Sequence, residues 1–352
     1  MEVKSNHYYF IDYLRIFGMI CVVFLHEAGV AVNRLNTSLD FEALNVFESI
    51  VYSAVPLFFM ISGFLLLSDE STRDVGKLLR KRLPKLIIPL AFWTLATCVW
   101  NGHLADDYSL SGLVSRLLPA LQGPVVQHFW FMYTLIAIYA LSPLLVGVAD
   151  LDSHGRIYFL VIIAVLNLRK ILYCFLPDDV YDILRIDLLD KLEFFSGNLC
   201  TFMLGYYLGR IKKKIPNVAL VGASLALVLI ITLGSRSFYY RNGFYDPPFH
   251  CEYLGLEVFL AGCVFLLFKQ NLNNEFKLPR LLRVAPKLTF AVYLMHVITM
   301  EFSFAFGMTP NSFIKVFMFS PVNYLLCLLL AKVISMIRPL CYIATGLTYN
   351  RF

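Results

Sequence analysis

The chain has 352 residues, 59% of them hydrophobic and 15% charged, with a mean hydropathy of +0.69. A soluble domain carries about 25% charged and about 45–50% apolar residues, so this composition excludes an ordinary water-soluble globule. The net charge of +6 is modest and the basic residues are scattered along the chain, which argues against a nucleic-acid partner.

Ten apolar runs approach the ~20 residues that a membrane-crossing helix needs. In chain order they are 10–32, 47–67, 86–103, 128–148, 157–176, 192–210, 217–234, 253–268, 288–306 and 316–337. The expected fold is therefore all-α: a polytopic transmembrane helix bundle of about ten spans, forming a single domain over residues 1–352. The first run is longer than the core of a signal peptide and contains Arg15, so it is expected to remain as a span. The fifth carries Asn167, Arg169 and Lys170 and is expected to be bent or partly buried in the bundle.

The basic residues set the orientation. With the N-terminus inside, 19 of the 30 Lys and Arg fall in cytoplasmic segments, 7 in outer segments and 4 within spans. Cytoplasmic loops of membrane proteins carry this excess. The clusters at Arg80–Lys85 and Lys212–Lys214 then share the inner side, and both termini are cytoplasmic. Most of the eight Cys lie inside apolar runs, Cys251 falls in an outer loop, and no CxxC occurs. Neither a disulfide framework nor a thiolate metal site is expected.

Ionisable residues within spans are costly in lipid and are functional candidates by default. The first span carries Arg15 and His26, eleven residues apart. At 100° per residue this spacing is close to three full turns, so both lie on one face, separated by about 16 Å of helix rise. Taken singly, Arg15 is explained by snorkelling to the inner headgroups with Asp12 as partner, and His26 by a hydrogen bond between helices. Together on one face, they polarise a shared cavity. His26-Glu27 is not continued as HExxH, so no zinc site is expected. In the second span, Ser62-Gly63 permits close backbone approach of a neighbouring helix.

The inner loop before the third span reads LLRKRLPKLIIP. Arg82 and Lys85 stand one turn apart at the cytoplasmic edge, where they could hold phosphates or simply mark a positive-inside helix end. The fourth span opens with HFWFMYTL, which places His128, Trp130 and Tyr133 at the outer interface, where an aromatic belt is expected in any case. The outer loop with Asp178, Asp179, Asp182, Asp187 and Asp190 reads as solvated. His296, five residues before Glu301 in the ninth span, reads as a packing or hydrogen-bonding residue.

Taken together, these strings resemble the acyltransferase-3 family of integral membrane O-acyltransferases. The family's first-helix Arg and His, ten residues between them, match Arg15 and His26. Its second-helix phrase matches FFMISGFLL. The paired basic residues before a Pro match Arg82 and Lys85 before Pro89, with Lys85 standing where the family usually has Arg. HFWFMYTLIAIYALSPLL and AVYLMHV match two later phrases. The resemblance runs over nearly the whole chain and is nearest the stand-alone bacterial branch.

The resemblance implies transfer of an acyl group, commonly acetyl, from cytosolic acyl-CoA to a hydroxyl of a cell-surface or lipid-linked carbohydrate. The membrane would be the bacterial inner membrane. Arg15, Arg82 and Lys85 would hold the donor's phosphates. His26 would act as general base or as an acyl carrier, since a free imidazole titrates near neutrality. His128, Trp130 and Tyr133 would face the acceptor sugar, and no metal is implied. The rival reading is an exporter of a polysaccharide or lipid-linked saccharide, which needs no acyl-CoA. Exporters often show repeated halves with broken helices, and no internal repeat is evident here.

Overall fold

A backbone crossing hydrocarbon must satisfy its own N–H and C=O groups, and an apolar run of some twenty residues does so as a helix. In the computed structural model the regular structure of the described residues is helical throughout. The structure describes residues 7–32, 39–173, 180, 197–242, 255–272, 274 and 280–349. The helices are α1 (Tyr9–Val32), α2 (Leu39–Val51), α3 (Ala54–Leu67), α4 (Pro84–Leu104), α5 (Leu110–Leu117), α6 (Trp130–Ala149) and α7 (Ser153–Tyr173). They continue with α8 (Asn198–Arg210), α9 (Asn217–Asn242), α10 (Leu256–Asn271), α11 (Arg280–Ala305), α12 (Phe313–Met336) and α13 (Arg338–Thr345).

Among the described residues, seven helical stretches are long and apolar enough to cross a membrane: Tyr9–Val32, Leu39–Leu67, Val75–Leu104, Gln127–Ala149, Asn217–Tyr240, Arg283–Ala305 and Phe313–Met336. The chain is an all-α integral membrane protein. The other three expected spans fall on α7, α8 and α10, each beside residues outside the description. The acidic outer loop from Asp178 to Asp190, Cys174 and Cys251 also lie outside the described residues, as do the side chains of Asn167, Arg169 and Lys170.

The helices group into two compact units. Unit 1 is Met1–Asp69, Val146–Lys277 and Asn311–Phe313; unit 2 is Glu70–Leu145, Leu278–Pro310 and Ile314–Phe352.

Unit 1 is organised around the crossing of α3 and α8. A Cβ added at Gly63 would lie 1.7 Å from the Phe202 carbonyl oxygen, and one at Gly205 would lie 2.1 Å from that of Met60. Only hydrogen at these positions lets the two backbones meet, and such small-residue contacts hold membrane helices together where no hydrophobic drive exists. Phe10, Phe64 and Phe265, from α1, α3 and α10, pack edge to face or tilted with ring centroids 5.6–6.3 Å apart. Between α2 and α3 the helix breaks at Tyr52–Ser53. Pro56 has no N–H to return to the Tyr52 carbonyl, and Ser53 instead donates its hydroxyl to the Ile50 carbonyl at 2.7 Å.

Along its length α2 is tied to α9 by polar groups. Asn45 Nδ2 donates to the Thr232 carbonyl at 3.0 Å, and Thr232 Oγ1 donates to Ser49 Oγ at 2.9 Å. Arg236 pairs with Glu42 at 2.9 Å. At the opposite end of α9, Asn217 and Asn271 exchange amide hydrogen bonds at 3.0 Å. Lys269, in the last turn of α10, donates to the Leu208 and Ile211 carbonyls at the C-terminus of α8, where a helix dipole favours a cation.

Unit 2 is built from α4, α5, most of α6, and α11 to α13. Trp93 Nε1 donates to the Ala344 carbonyl at 2.9 Å, seating α13 on α4. Gly346, at φ +68°, ends α13 in the left-handed region, and a Cβ there would lie 2.5 Å from the Lys85 carbonyl oxygen. Glycine is required on both counts. Helices α11 and α12 are joined by Thr299 Oγ1 donating to Asn323 Oδ1 at 2.6 Å and by Asn323 Nδ2 donating to the His296 carbonyl at 3.2 Å.

Candidate functional site

On α1 of unit 1, the buried stripe includes Leu14, Gly18, Val22 and Ala28, while Arg15 and His26 are both half-buried. The helix runs unbroken from Tyr9 to Val32, so the eleven-residue spacing holds both residues on one face, as expected of any regular helix. Asp12 Oδ1 lies 3.9 Å from the Arg15 guanidinium, and its other oxygen is 2.7 Å from His7 Nε2. Glu27, next to His26, is buried. This face therefore carries a cation toward the start of α1 and an imidazole toward its end, with the glutamate turned into the protein.

Arg82 and Lys85 belong to unit 2, where the chain enters α4. Residues Leu78–Arg82 form a π turn, with Leu83 N donating to the Leu78 carbonyl at 3.0 Å. Pro84 follows at the first turn of α4, where its missing N–H leaves no bond unmade. Arg82 donates to Thr72 Oγ1 at 2.5 Å and to Ser71 Oγ at 2.9 Å. Lys77 Nζ also donates to Ser71 Oγ. The basic loop is thus braced by two hydroxyls that the sequence gave no reason to single out. Arg82 and Lys85 are half-buried, whereas Arg80 and Lys81 are exposed.

His128, Trp130 and Tyr133 also belong to unit 2, at the start of α6. His128 is buried, at 5% exposure. Its ring lies 5.0 Å from that of His296, and its carbonyl accepts a hydrogen bond from the Tyr293 hydroxyl. His296 is fully buried, with Nδ1 2.6 Å from the Tyr293 carbonyl oxygen. The two phrases that carry these histidines are far apart in sequence, and no local signal pairs them. Trp130 and Tyr133 are half-buried. Tyr133 donates to the Ala120 carbonyl at 2.8 Å and borders a largely aliphatic cavity of about 630 Å3 between α4, α5 and α6.

The candidate residues therefore divide by unit: Arg15 and His26 in unit 1; Arg82, Lys85, His128, Trp130 and Tyr133 in unit 2. Among the described residues, no group of three His, Cys, Asp or Glu is placed to hold a metal ion.

Comparison with known proteins adds an independent line. A family model described as an acyltransferase domain, acyltransferase 3, matches residues 8–337. Nodulation protein NolL of Sinorhizobium fredii is 29% identical over 137 residues, covering 38% of this chain and 35% of that protein. Nodulation protein NolL of Mesorhizobium japonicum is 32% identical over 91 residues, covering 25% and 22%. The matched segments thus span about a third or less of these relatives' own lengths. No solved structure matches.

Proposed function

The chain belongs to the acyltransferase-3 family, and on that premise we propose that it is a membrane O-acyltransferase. It would move an acyl group, acetyl by family habit, from cytosolic acyl-CoA to a hydroxyl of a cell-surface or lipid-linked carbohydrate. The observation that carries this reading is the pair Arg15 and His26, half-buried on one face of a membrane-length helix inside the matched region. A charged residue and an imidazole in a span are expensive, and catalysis gives them a purpose.

In the proposed reaction, Arg15, Arg82 and Lys85 bind the donor's phosphates at the inner edge. His26 takes the proton of the acceptor hydroxyl as that oxygen attacks the thioester carbonyl. The carbon–sulfur bond breaks, and the departing thiolate recovers the proton from the imidazolium. In the two-step variant the imidazole nitrogen attacks first and carries the acyl group to the acceptor. Trp130, Tyr133 and His128 belong to the acceptor side in this reading. The proposed topology keeps ten spans with both termini in the cytoplasm of a bacterial inner membrane, as one functional domain. The ties described within unit 1 support it. The end of α9, through Arg236 and Tyr240, meets Glu42 at the start of α2, and the ends of α8 and α10 lie together, as alternating spans require.

The test is acetyl transfer from radiolabelled acetyl-CoA to a mixture of cell-envelope glycans by purified protein in detergent. We expect label in a glycan, and a loss of about 100-fold or more in His26→Ala. Full activity in that variant would remove His26 from the chemistry. A folded sample that binds no acetyl-CoA would transfer the weight to the exporter reading.

A further inference from the structure

At one end of unit 2, the last turns of α4 and α11 bring aromatic rings and a carboxylate together. Trp100 Nε1 donates to Glu301 Oε2 at 3.0 Å, across 201 residues of sequence. The indole ring lies 6.0 Å from that of Phe302 and 5.6 Å from that of His103. His103 Nδ1 is 2.8 Å from the Tyr108 hydroxyl, and Phe302 meets Phe306 edge to face with centroids 4.9 Å apart.

These side chains are presented outward. Phe302, Phe306 and Tyr108 are 47%, 70% and 73% exposed. Trp100 and Glu301 are half-buried and His103 is exposed.

Backbone geometry holds the group in place. Helix α11 ends in a Schellman motif: Met308 N donates to the Ser303 carbonyl at 3.2 Å and Gly307 N to the Phe304 carbonyl at 2.9 Å, with Gly307 at φ +77°. The loop that carries Tyr108 is pinned by Arg116, which donates to Asp107 Oδ2 at 2.8 Å and to the Asp107 carbonyl at 3.0 Å.

The chemistry of the group selects its occupant. A lipid tail or an apolar peptide would desolvate the Glu301 carboxylate, the His103 ring and the Tyr108 hydroxyl without replacing their hydrogen bonds. An anion would meet a carboxylate, because the neighbouring cation, Arg116, is turned onto Asp107 and the Cys98 carbonyl. A neutral saccharide fits both halves. Its C–H faces lie on aromatic rings, and its hydroxyls donate to a carboxylate that spends one oxygen on Trp100.

We propose that this end of unit 2 is a saccharide-binding platform, in which Trp100, Tyr108, Phe302 and Phe306 supply ring faces and Glu301 and His103 bind hydroxyls. It rests on the acyltransferase reading in one respect: the saccharide held there is the acceptor. In the ten-span order, the C-terminal ends of α4 and α11 are both outer ends, the side from which a surface glycan would approach. Trp130 and Tyr133 open the fourth span on that same side in sequence order. The platform adds to those acceptor-side residues.

The experiment uses the full chain in detergent on an array of neutral bacterial-envelope oligosaccharides, with Glu301→Gln, Phe306→Ala and Tyr108→Ala beside the wild type. Glu301→Gln is nearly isosteric and keeps an oxygen for Trp100. Phe306 and Tyr108 are exposed, so their removal leaves the packing intact, which thermal unfolding will check. We expect the wild type to bind at least one saccharide, and each variant to bind it about threefold to tenfold more weakly with unchanged melting. Absence of saccharide binding by the wild type, or equal binding by all four proteins, overturns the platform. The acetyl-transfer assay separates the two readings. Saccharide binding that depends on these residues, without transfer from acetyl-CoA, keeps the platform and removes the acyltransferase. Transfer whose acceptor KM ignores all three substitutions does the reverse. A raised acceptor KM with an unchanged acetyl-CoA KM supports both.

Discussion

In unit 1 the tightest helix pair meets through glycine, at Gly63 and Gly205; in unit 2 the pair α11–α12 meets through a hydroxyl, an amide and a histidine carbonyl. The contrast extends along both units. The fully buried carboxylates among the described residues, Glu27, Glu48 and Glu257, all belong to unit 1. The prolines beyond the first turn of described helices, Pro89, Pro143, Pro286 and Pro321, all belong to unit 2, as does the π turn at Leu78–Arg82, whereas Pro56 of unit 1 stands in the first turn of α3. Each interior proline deprives a carbonyl four residues earlier of its donor. At Pro143 the substitute is visible: the Tyr139 carbonyl accepts the Ser142 hydroxyl at 2.6 Å. Unit 1 thus holds the closest backbone crossing, alongside side-chain ties such as Asn45 to Thr232 and Arg236 to Glu42. Unit 2 holds the helices interrupted by proline, with side-chain hydrogen bonds around them.

The largest effect on folding is expected where the backbones touch. In Gly63→Ala the new methyl meets a carbonyl oxygen that no rotamer change can move, so α3 and α8 must part. Overpacking of this kind costs about 1–3 kcal/mol, or more where backbone must shift. Thermal unfolding in detergent should show a marked drop, whereas Gly222→Ala, with nothing within 4 Å of the added Cβ, should hold or rise slightly. Equal melting of the two variants would mean that the α3–α8 crossing is not closed at Gly63 as described.

A smaller effect, on binding rather than folding, tests the proposed grip in unit 2. Lys85→Ala should raise the acetyl-CoA KM about tenfold, as expected for loss of one charge-assisted hydrogen bond, and leave the acceptor KM alone. Arg82→Ala is the less clean variant, because Arg82 also braces Ser71 and Thr72. If Lys85→Ala moved both KM values together, Lys85 would be a structural cation of the helix end.

Smaller again is the cost of a polar tie. Asn323→Ala removes the partner of Thr299 and of the His296 carbonyl. Hydrogen bonds between membrane helices contribute about 0.6 kcal/mol on average and up to about 1.7 kcal/mol. The melting shift should be clearly below that of Gly63→Ala. A larger shift would mean that the hydrogen-bonded pair, not the glycine crossing, is the stiffer joint.

Much of this was legible in the sequence, and the remainder was not for identifiable reasons. Apolar length locates helices because lipid leaves the backbone no alternative. The face shared by Arg15 and His26 follows from helical period alone, and Gly63 next to Ser62 signalled a close approach before its partner was known. The partners were not legible. Phe202 opposite Gly63, Thr72 under Arg82, His296 beside His128 and Glu301 on Trp100 are joined by how helices are arranged, which no local period records. The division into two units is of the same kind. It separates Arg15 from Arg82, although both are basic residues assigned to one side of the membrane.

The smallest expected effect concerns the loop under the saccharide platform. Asp107 accepts from the side chain and the backbone of Ser109, at 2.6 and 3.0 Å, and from Arg116. The Ser109 hydroxyl, the Ser109 N–H and the Arg116 guanidinium together hold its carboxyl down to about 2. A depressed carboxylate pKa means that the ionised form is favoured in the folded state. Its contribution is therefore full above the ordinary range near 3.9 and is lost as the pH falls through about 2. Limited proteolysis of the loop by pepsin should thus be low at pH 4 and rise progressively as the pH falls toward 2. In Asp107→Asn, cleavage should already be high at pH 4, because the amide cannot reproduce the pairing with Arg116. Wild-type cleavage equal to that of Asp107→Asn at every pH would mean that Asp107 is an ordinary surface carboxylate, and that Tyr108 is held over the platform by something other than this pin.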